Sequence, residues 1–174
     1  MAENNRKYML SWLLAVALIG IALLLGALRG FSQERAKIEQ SEKGRQVAAD
    51  LKVRGEQAAN LTVVAKRYLA EDNGQILAVT SARNNLIKAA TRETNDALTA
   101  AAGALIDTLK AQDGVTQDDL SGMEMIRGEL AGRMDALRRS AYNDQARKFN
   151  LSLTGFPAVP FAKLAGIKPL PVYD

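Results

Sequence analysis

Between Tyr8 and Leu28 the chain runs for 21 residues without a charge, YMLSWLLAVALIGIALLLGAL. No other feature restricts the fold so sharply. A hydrocarbon core of ~30 Å is crossed by ~20 apolar residues in helical form. Arg6 and Lys7 bound the run on one side and Arg29 on the other. Tyr8 and Trp12 lie near one end, where amphipathic rings favour the headgroup layer. A cleaved signal peptide would have a shorter apolar region and a small-x-small cleavage site. Gly26-Ala27-Leu28-Arg29 is a poor site of that kind. Residues 1–30 are therefore expected to form a short tail and a retained single-pass anchor. Ala22, Gly26 and Gly30 make a small-residue stripe of the sort that lets membrane helices pack closely. Ordinary Gly and Ala usage in a membrane helix explains the stripe as well.

Signals for orientation conflict. Arg29, Arg35, Lys37 and Lys43 follow the span, against Arg6 and Lys7 before it. Lys and Arg count towards the cytoplasm, which favours a cytoplasmic C-terminal part. A short basic N-tail leading into a long apolar run instead resembles an uncleaved export signal.

Residues 31–174 carry almost no strand signal. Ala, Leu, Glu, Lys, Arg and Gln dominate, and these favour helix. All four prolines fall at Pro157, Pro160, Pro169 and Pro171. Everything upstream is free to be long helix. A first segment, about Phe31 to Leu69, carries Val47, Leu51, Ala58, Leu61, Val64, Ala65, Tyr68 and Leu69 on one stripe of helical period. Its start, 31–46, is thinly apolar and reads as a stalk. Glu71-Asp72-Asn73-Gly74 is a turn, with Asn-Gly supplying left-handed residues for a helix stop. A second segment, about Gln75 to Lys110, carries Val79, Ala82, Leu86, Ala90, Ala97, Leu98, Ala101, Leu105 and Leu109 on its stripe. Gln112-Asp113-Gly114 is the next turn, and Thr116-x-x-Asp119 approximates a helix-capping box. A third segment then runs to about Thr154, with Leu120, Met123, Ile126, Leu130, Met134, Leu137, Ala141 and Phe149 on one face. Short connections imply antiparallel neighbours. The expected fold is all-α: one N-terminal transmembrane helix, then an elongated antiparallel three-helix bundle over 31–174. Helices of ~36–40 residues would make it a rod of ~55–60 Å.

Charge is uneven. Residues 71–124 sum to −5 and residues 127–174 to +4. The simplest reading is pairing between the second and third segments. With 5% aromatic residues and an acidic middle, a nucleic-acid surface is not expected. The tail, 155–174, is apolar but broken by proline, with one short helix expected at Val159–Leu164. It either caps the bundle or offers an apolar patch to a partner or membrane.

The chain has no Cys and no His. That excludes zinc fingers, haem, iron–sulfur clusters, disulfides and the Ser-His-Asp triad. No nucleophile elbow, Ser-x-x-Lys or glycine-rich phosphate loop is present. Neither a cofactor nor a metal nor a small-molecule substrate is expected, and an enzyme is not.

At Tyr142-Asn143-Asp144-Gln145-Ala146-Arg147-Lys148-Phe149-Asn150, followed by Phe156-Pro157, Gly166 and Lys168-Pro169, the chain resembles the LemA family of bacterial membrane-anchored proteins. Weaker echoes are Arg54-Gly55-Glu56, Asn60-Leu61-x-x-Val64-x-x-x-Tyr68 and Ala78-Val79-Thr80-Ser81-Ala82-Arg83. Family members usually have a paired Arg-Arg and a Leu-Ile-Pro-Asn-Leu run in the first helix. Here Arg54 stands alone and Ala58-Ala59-Asn60-Leu61 lacks the proline. The resemblance implies a membrane-attached helical bundle without established enzymatic activity. Some members are lipoproteins, which places their bundle outside the cytoplasm, and one relative contributes to magnetosome membrane formation.

Three antiparallel helices would bring Arg54, Asn60, Tyr68, Arg83, Tyr142, Asn143, Arg147, Asn150, Phe156 and Pro157 to the membrane-distal end. There they are expected either to fix helix register or to dock a partner. The function expected is a bacterial inner-membrane scaffold, bundle extracytoplasmic, that contacts lipid and self-associates or docks a membrane protein. The alternative is an extracytoplasmic accessory subunit in sensing or signalling.

Overall fold

The structure is a computed structural model that describes residues 2–155 and 158–174. Among these residues there are seven helices and no strands: α1 (Ala2–Gln40), α2 (Glu42–Ala65), α3 (Gly74–Lys88), α4 (Arg92–Lys110), α5 (Gln117–Arg138), α6 (Tyr142–Ser152) and α7 (Ala158–Leu164). They fall into two compact units. One comprises Met1–Glu39 with Ala146–Leu170, the other Gln40–Gln145 with Pro171–Asp174.

In the larger unit, α2, α3, α4 and α5 enclose one apolar core. Ala58, Leu61, Ile76, Val79, Leu98, Leu105, Ile106, Leu109, Met123 and Leu130 are all nearly or wholly buried in it. Most residues of the expected stripes face inward, but Ala97 and Ala141 are exposed. Polar pairs mark direction. Tyr68 meets Asp119, Gln57 meets Glu129, and Asp50 meets Arg133. Positions descend in α2 as they rise in α5, so these two helices run in opposite directions. The same holds for α4 and α5, where Lys110 pairs with Glu124, Asp107 with Arg127, and Asp96 with Arg138. Asp107 with Arg127 and Asp96 with Arg138 are the acidic-to-basic pairing read from the charge pattern, whereas Lys110 with Glu124 runs the other way.

Several expectations need correction. The second segment is two helices, and the core therefore has four rather than three. Ala89 adopts an extended backbone, φ −152° and ψ 99°. Thr91 then starts α4 as its N-cap, and Thr91 and Thr94 each bond the other's backbone N–H. A reciprocal cap satisfies two donors that a helix start leaves open. That offsets the hydrogen bonds lost by interrupting an otherwise helix-favouring run. The third segment is also interrupted, between α5 and α6. The longest helix of this unit, α2, has 24 residues, about 36 Å, well short of the length expected.

The turns are as expected in place but not all in kind. Gly114 takes a left-handed conformation, φ 84°, after α4. Asn73, in contrast, begins a helix instead of ending one. Its side chain accepts from the Gln75 backbone N–H at 2.9 Å, and Gly74 is the first residue of α3. Thr116 caps α5 by accepting from Asp119 N–H at 3.2 Å.

In the smaller unit, α1 holds a 30-residue stretch, Ser11–Gln40, long and apolar enough to cross a membrane. Tail and α1 are joined in this unit. Ala158 and Phe161 of α7 line one groove with Ala22, Leu23, Gly26, Ala27 and Phe31 of α1. The tail had been expected far from the anchor. In this unit the tail instead lies against α1. If the Thr91 cap creates the break, Thr91→Ala should destabilise the full chain in mild detergent by about 1 kcal/mol, read as a lower urea midpoint with helix content otherwise retained.

Candidate functional site

Arg54 is the largest fully buried side chain of the larger unit, 0% exposed. Its guanidinium Nε donates to Asn95 Oδ1 at 2.9 Å. One terminal nitrogen donates to the Asn95 carbonyl at 3.0 Å and to Thr99 Oγ1 at 2.8 Å. The other donates to the Leu130 carbonyl. One side chain of α2 thus reaches two turns of α4 and the middle of α5. The acceptors are neutral. Burial lowers the Arg54 pKa to about 10, with Asp96 acting against that and Arg138 adding to it. The group stays charged at neutral pH, and its burial cost is constant at every pH below that value. At the adjoining residue, Arg83 of α3 donates through Nε to the Gly55 carbonyl at 2.9 Å. Four helices are therefore pinned at one level.

A second cluster surrounds Tyr173. Its hydroxyl donates to the Ala90 carbonyl at 3.0 Å, a group that the extended break before α4 presents outward. The Tyr173 backbone N–H donates to Asn143 Oδ1 at 3.0 Å. Asn143 Nδ2 in turn donates to the Leu137 and Arg138 carbonyls at 2.9 and 3.0 Å, closing the end of α5. Tyr142 and Tyr173 lie ring to ring, centroids 6.2 Å apart. Burial raises the Tyr173 pKa well above its ordinary 10.0, and Tyr142 adds to it. Within the smaller unit, Asn150 repeats the device. Its Nδ2 donates to the Leu170 carbonyl at 2.8 Å, and its Oδ1 accepts from Leu170 N–H at 2.7 Å.

The expected layer is therefore distributed. Arg54 and Arg83 share one level. Tyr68 lies elsewhere, bonded to Asp119 and Thr116. That bond, with the charge of Arg67, holds the Asp119 carboxyl below its usual range. Tyr142 and Asn143 join Tyr173. Asn150 binds the tail backbone. Asn60 and Arg147 are exposed. Phe156 and Pro157 lie outside the described residues. Ala22 and Gly26 line the groove with α7, and Gly30 is exposed with open space around it. Sequence reasoning missed Asn95, Thr99, Ala90 and Tyr173. Asn95 and Thr99, one helical turn apart on the inner side of an Ala-rich helix, were the visible signal for the first pair. A lone aromatic behind two prolines marked the last.

Among the described residues no group of three metal-ligating carboxylates forms. Arg127 Nε is buried without a hydrogen-bond partner among the described residues. Arg54, Asn95 and Asn143 are all hydrogen-bonded, the first two to each other and all three to backbone carbonyls, and this is the geometry of register and closure. It defines an all-helical chain with one helix able to span a membrane, and a four-helix core sealed by its own tail. The chain belongs to the LemA family, whose model matches residues 43–174. No curated protein and no solved structure matches it. The family-like pattern at Tyr142–Asn150 has a physical meaning here. Its two asparagines, seven residues apart on α6, each bind the tail's backbone.

Four substitutions test this. Arg54→Met strands Asn95 Oδ1 and should cost about 1–3 kcal/mol, with Arg54→Lys recovering only part, measured by urea denaturation in mild detergent. Asn143→Ala should cost a similar amount, about 1–3 kcal/mol. Tyr173 resists ionisation when folded, whereas the unfolded chain ionises near the ordinary value. Its stabilisation is thus complete below about pH 10 and lost as pH rises further. Tyr173→Phe should be less stable than wild type by about 0.5–1.5 kcal/mol at neutral pH. That gap should hold up to about pH 10 and narrow only as the pH rises above it.

Proposed function

We propose that this chain is a membrane-anchored, non-enzymatic scaffold of the LemA type. It sits in the bacterial inner membrane with its helical core on the extracytoplasmic side. It holds itself, or a membrane-protein partner, at the bilayer surface, in a role that serves membrane organisation. The observation that carries this is α1. Its most apolar window has a mean hydropathy of 2.5 and none of that window is buried in the protein. A core helix of equal hydropathy would be covered by neighbours, because exposed apolar surface costs about 25 cal/mol per Å² in water. The signal-like start and the family's lipoprotein members support the orientation. The buried polar groups Arg54, Asn95 and Asn143, which bond helix to helix and core to tail, support a structural role.

The full-length protein should remain with membranes through high-salt and carbonate washes, and recovery in the soluble fraction would overturn the anchor. The chain contains no cysteine, so Asp113→Cys provides a unique label in an exposed turn. A membrane-impermeant thiol reagent should label it in spheroplasts; labelling only from the cytoplasmic side would reverse the orientation. Affinity capture in mild detergent, with the mass of the complex measured, should return a species heavier than one chain. A strictly monomeric species would sink the scaffold reading.

A further inference from the structure

The smaller unit contains a place where tail and span meet. The groove between α1 and α7 has a volume of about 400 Å³, with Ala22, Leu23, Gly26 and Ala27 on one side and Ala158 and Phe161 on the other. The four α1 residues belong to the uncharged run ending at Leu28. Ala22 is six residues inside that end, about 9 Å along a helix. An interfacial helix buries its apolar face to a depth of ~5–10 Å. The two depths coincide. Beyond Leu28, Arg35 donates to the Lys168 carbonyl at 3.0 Å, tying the tail to α1 about 10 Å past the run's end, at headgroup height.

Composition fits the location. Residues 146–170 carry Arg147, Lys148, Lys163 and Lys168 and no Asp or Glu. Within α7, Leu164 is 75% exposed, and the neighbouring Lys163 is exposed too. Basic residues beside exposed apolar ones suit an anionic lipid surface, with hydrocarbon against the apolar groups and phosphate against the ammonium groups.

We propose that α7 lies in the membrane interface, on the side of the span where the rest of the chain emerges, as a second membrane contact. Its groove and Leu164 take the acyl chains of anionic phospholipid, and Lys163 and Lys168 take the headgroups. This rests on the reading of α1 as a membrane anchor, because only then does the groove open onto lipid.

The test uses full-length chain in phosphatidylcholine–phosphatidylglycerol vesicles, with a polarity-sensitive fluorophore on Leu164→Cys or, separately, on Gly20→Cys. Nitroxide lipids carry the quencher either near the headgroup or deep in the acyl chain. The Leu164 probe should lose at least about half its emission to the shallow quencher, as insertion to ~5–10 Å requires. The Gly20 probe should be quenched by the deep one. Quenching at Gly20 but not at Leu164 would overturn the proposal and leave the anchor intact. Energy transfer between Leu164 probes, without quenching, would give the groove to a second copy and overturn it as well. Quenching at neither position would overturn the anchor reading itself. In the Leu164→Cys background, Lys163→Glu with Lys168→Glu should weaken shallow quenching in anionic vesicles. Equal quenching with and without the charge reversal would overturn the assignment to anionic lipid.

Discussion

A buried guanidinium sets the terms for the helical core. Arginine offers five N–H donors and no acceptor, and stranding its charge away from water costs several kcal/mol. Arg54 is fully buried, so neighbouring helices must bring oxygen atoms to its level. Asn95 and Thr99 do so from α4 and the Leu130 carbonyl from α5. Apolar contacts alone are non-directional, and a core rich in Leu, Ile and Ala tolerates sliding by a turn. The Arg54 level does not, because a shift of one turn, about 5.4 Å, would separate every donor from its acceptor. Arg83 on Gly55 extends the constraint to α3.

The interruption before α4 and the seating of the tail are one problem solved twice. Breaking a helix frees carbonyl groups that need donors. The Ala89 carbonyl receives Thr91 N–H and the Thr94 hydroxyl. The Ala90 carbonyl receives the Tyr173 hydroxyl. Asn143 likewise covers carbonyls at the end of α5 while holding the Tyr173 backbone. Helix ends and an irregular tail, each with unpaired backbone groups, satisfy one another.

Much of this was legible in the sequence. The uncharged run, the inward stripes of α2 and α5, the Gly114 turn, the Thr116 cap and the position of α7 follow from period and local chemistry. The break at Ala89 did not, because alanine favours helix and the capping pair uses Thr94 where Glu or Gln is the usual signal. Asn73-Gly74 was assigned to a helix stop, since the dipeptide serves a stop or a start, and only its bond to Gln75 distinguishes them. Arg54 stood out, but its partners lie 41 to 76 residues away, and no local pattern announces a pairing at that separation. The break also decided the site. Once the middle segment became two helices, residues expected in one layer were divided between levels.

Dividing the middle segment also changes how the core can assemble in time. Residues of α3 and α4 meet across a connection of three residues, and closing so small a loop is fast and entropically cheap. The α2–α5 contacts, such as Asp50 with Arg133, span 83 residues and close the ring only when the intervening chain is in place. A single long middle helix would have offered no such early hairpin. The interruption at Ala89 therefore adds short-range contacts to the core and lowers the mean sequence separation on which folding speed depends.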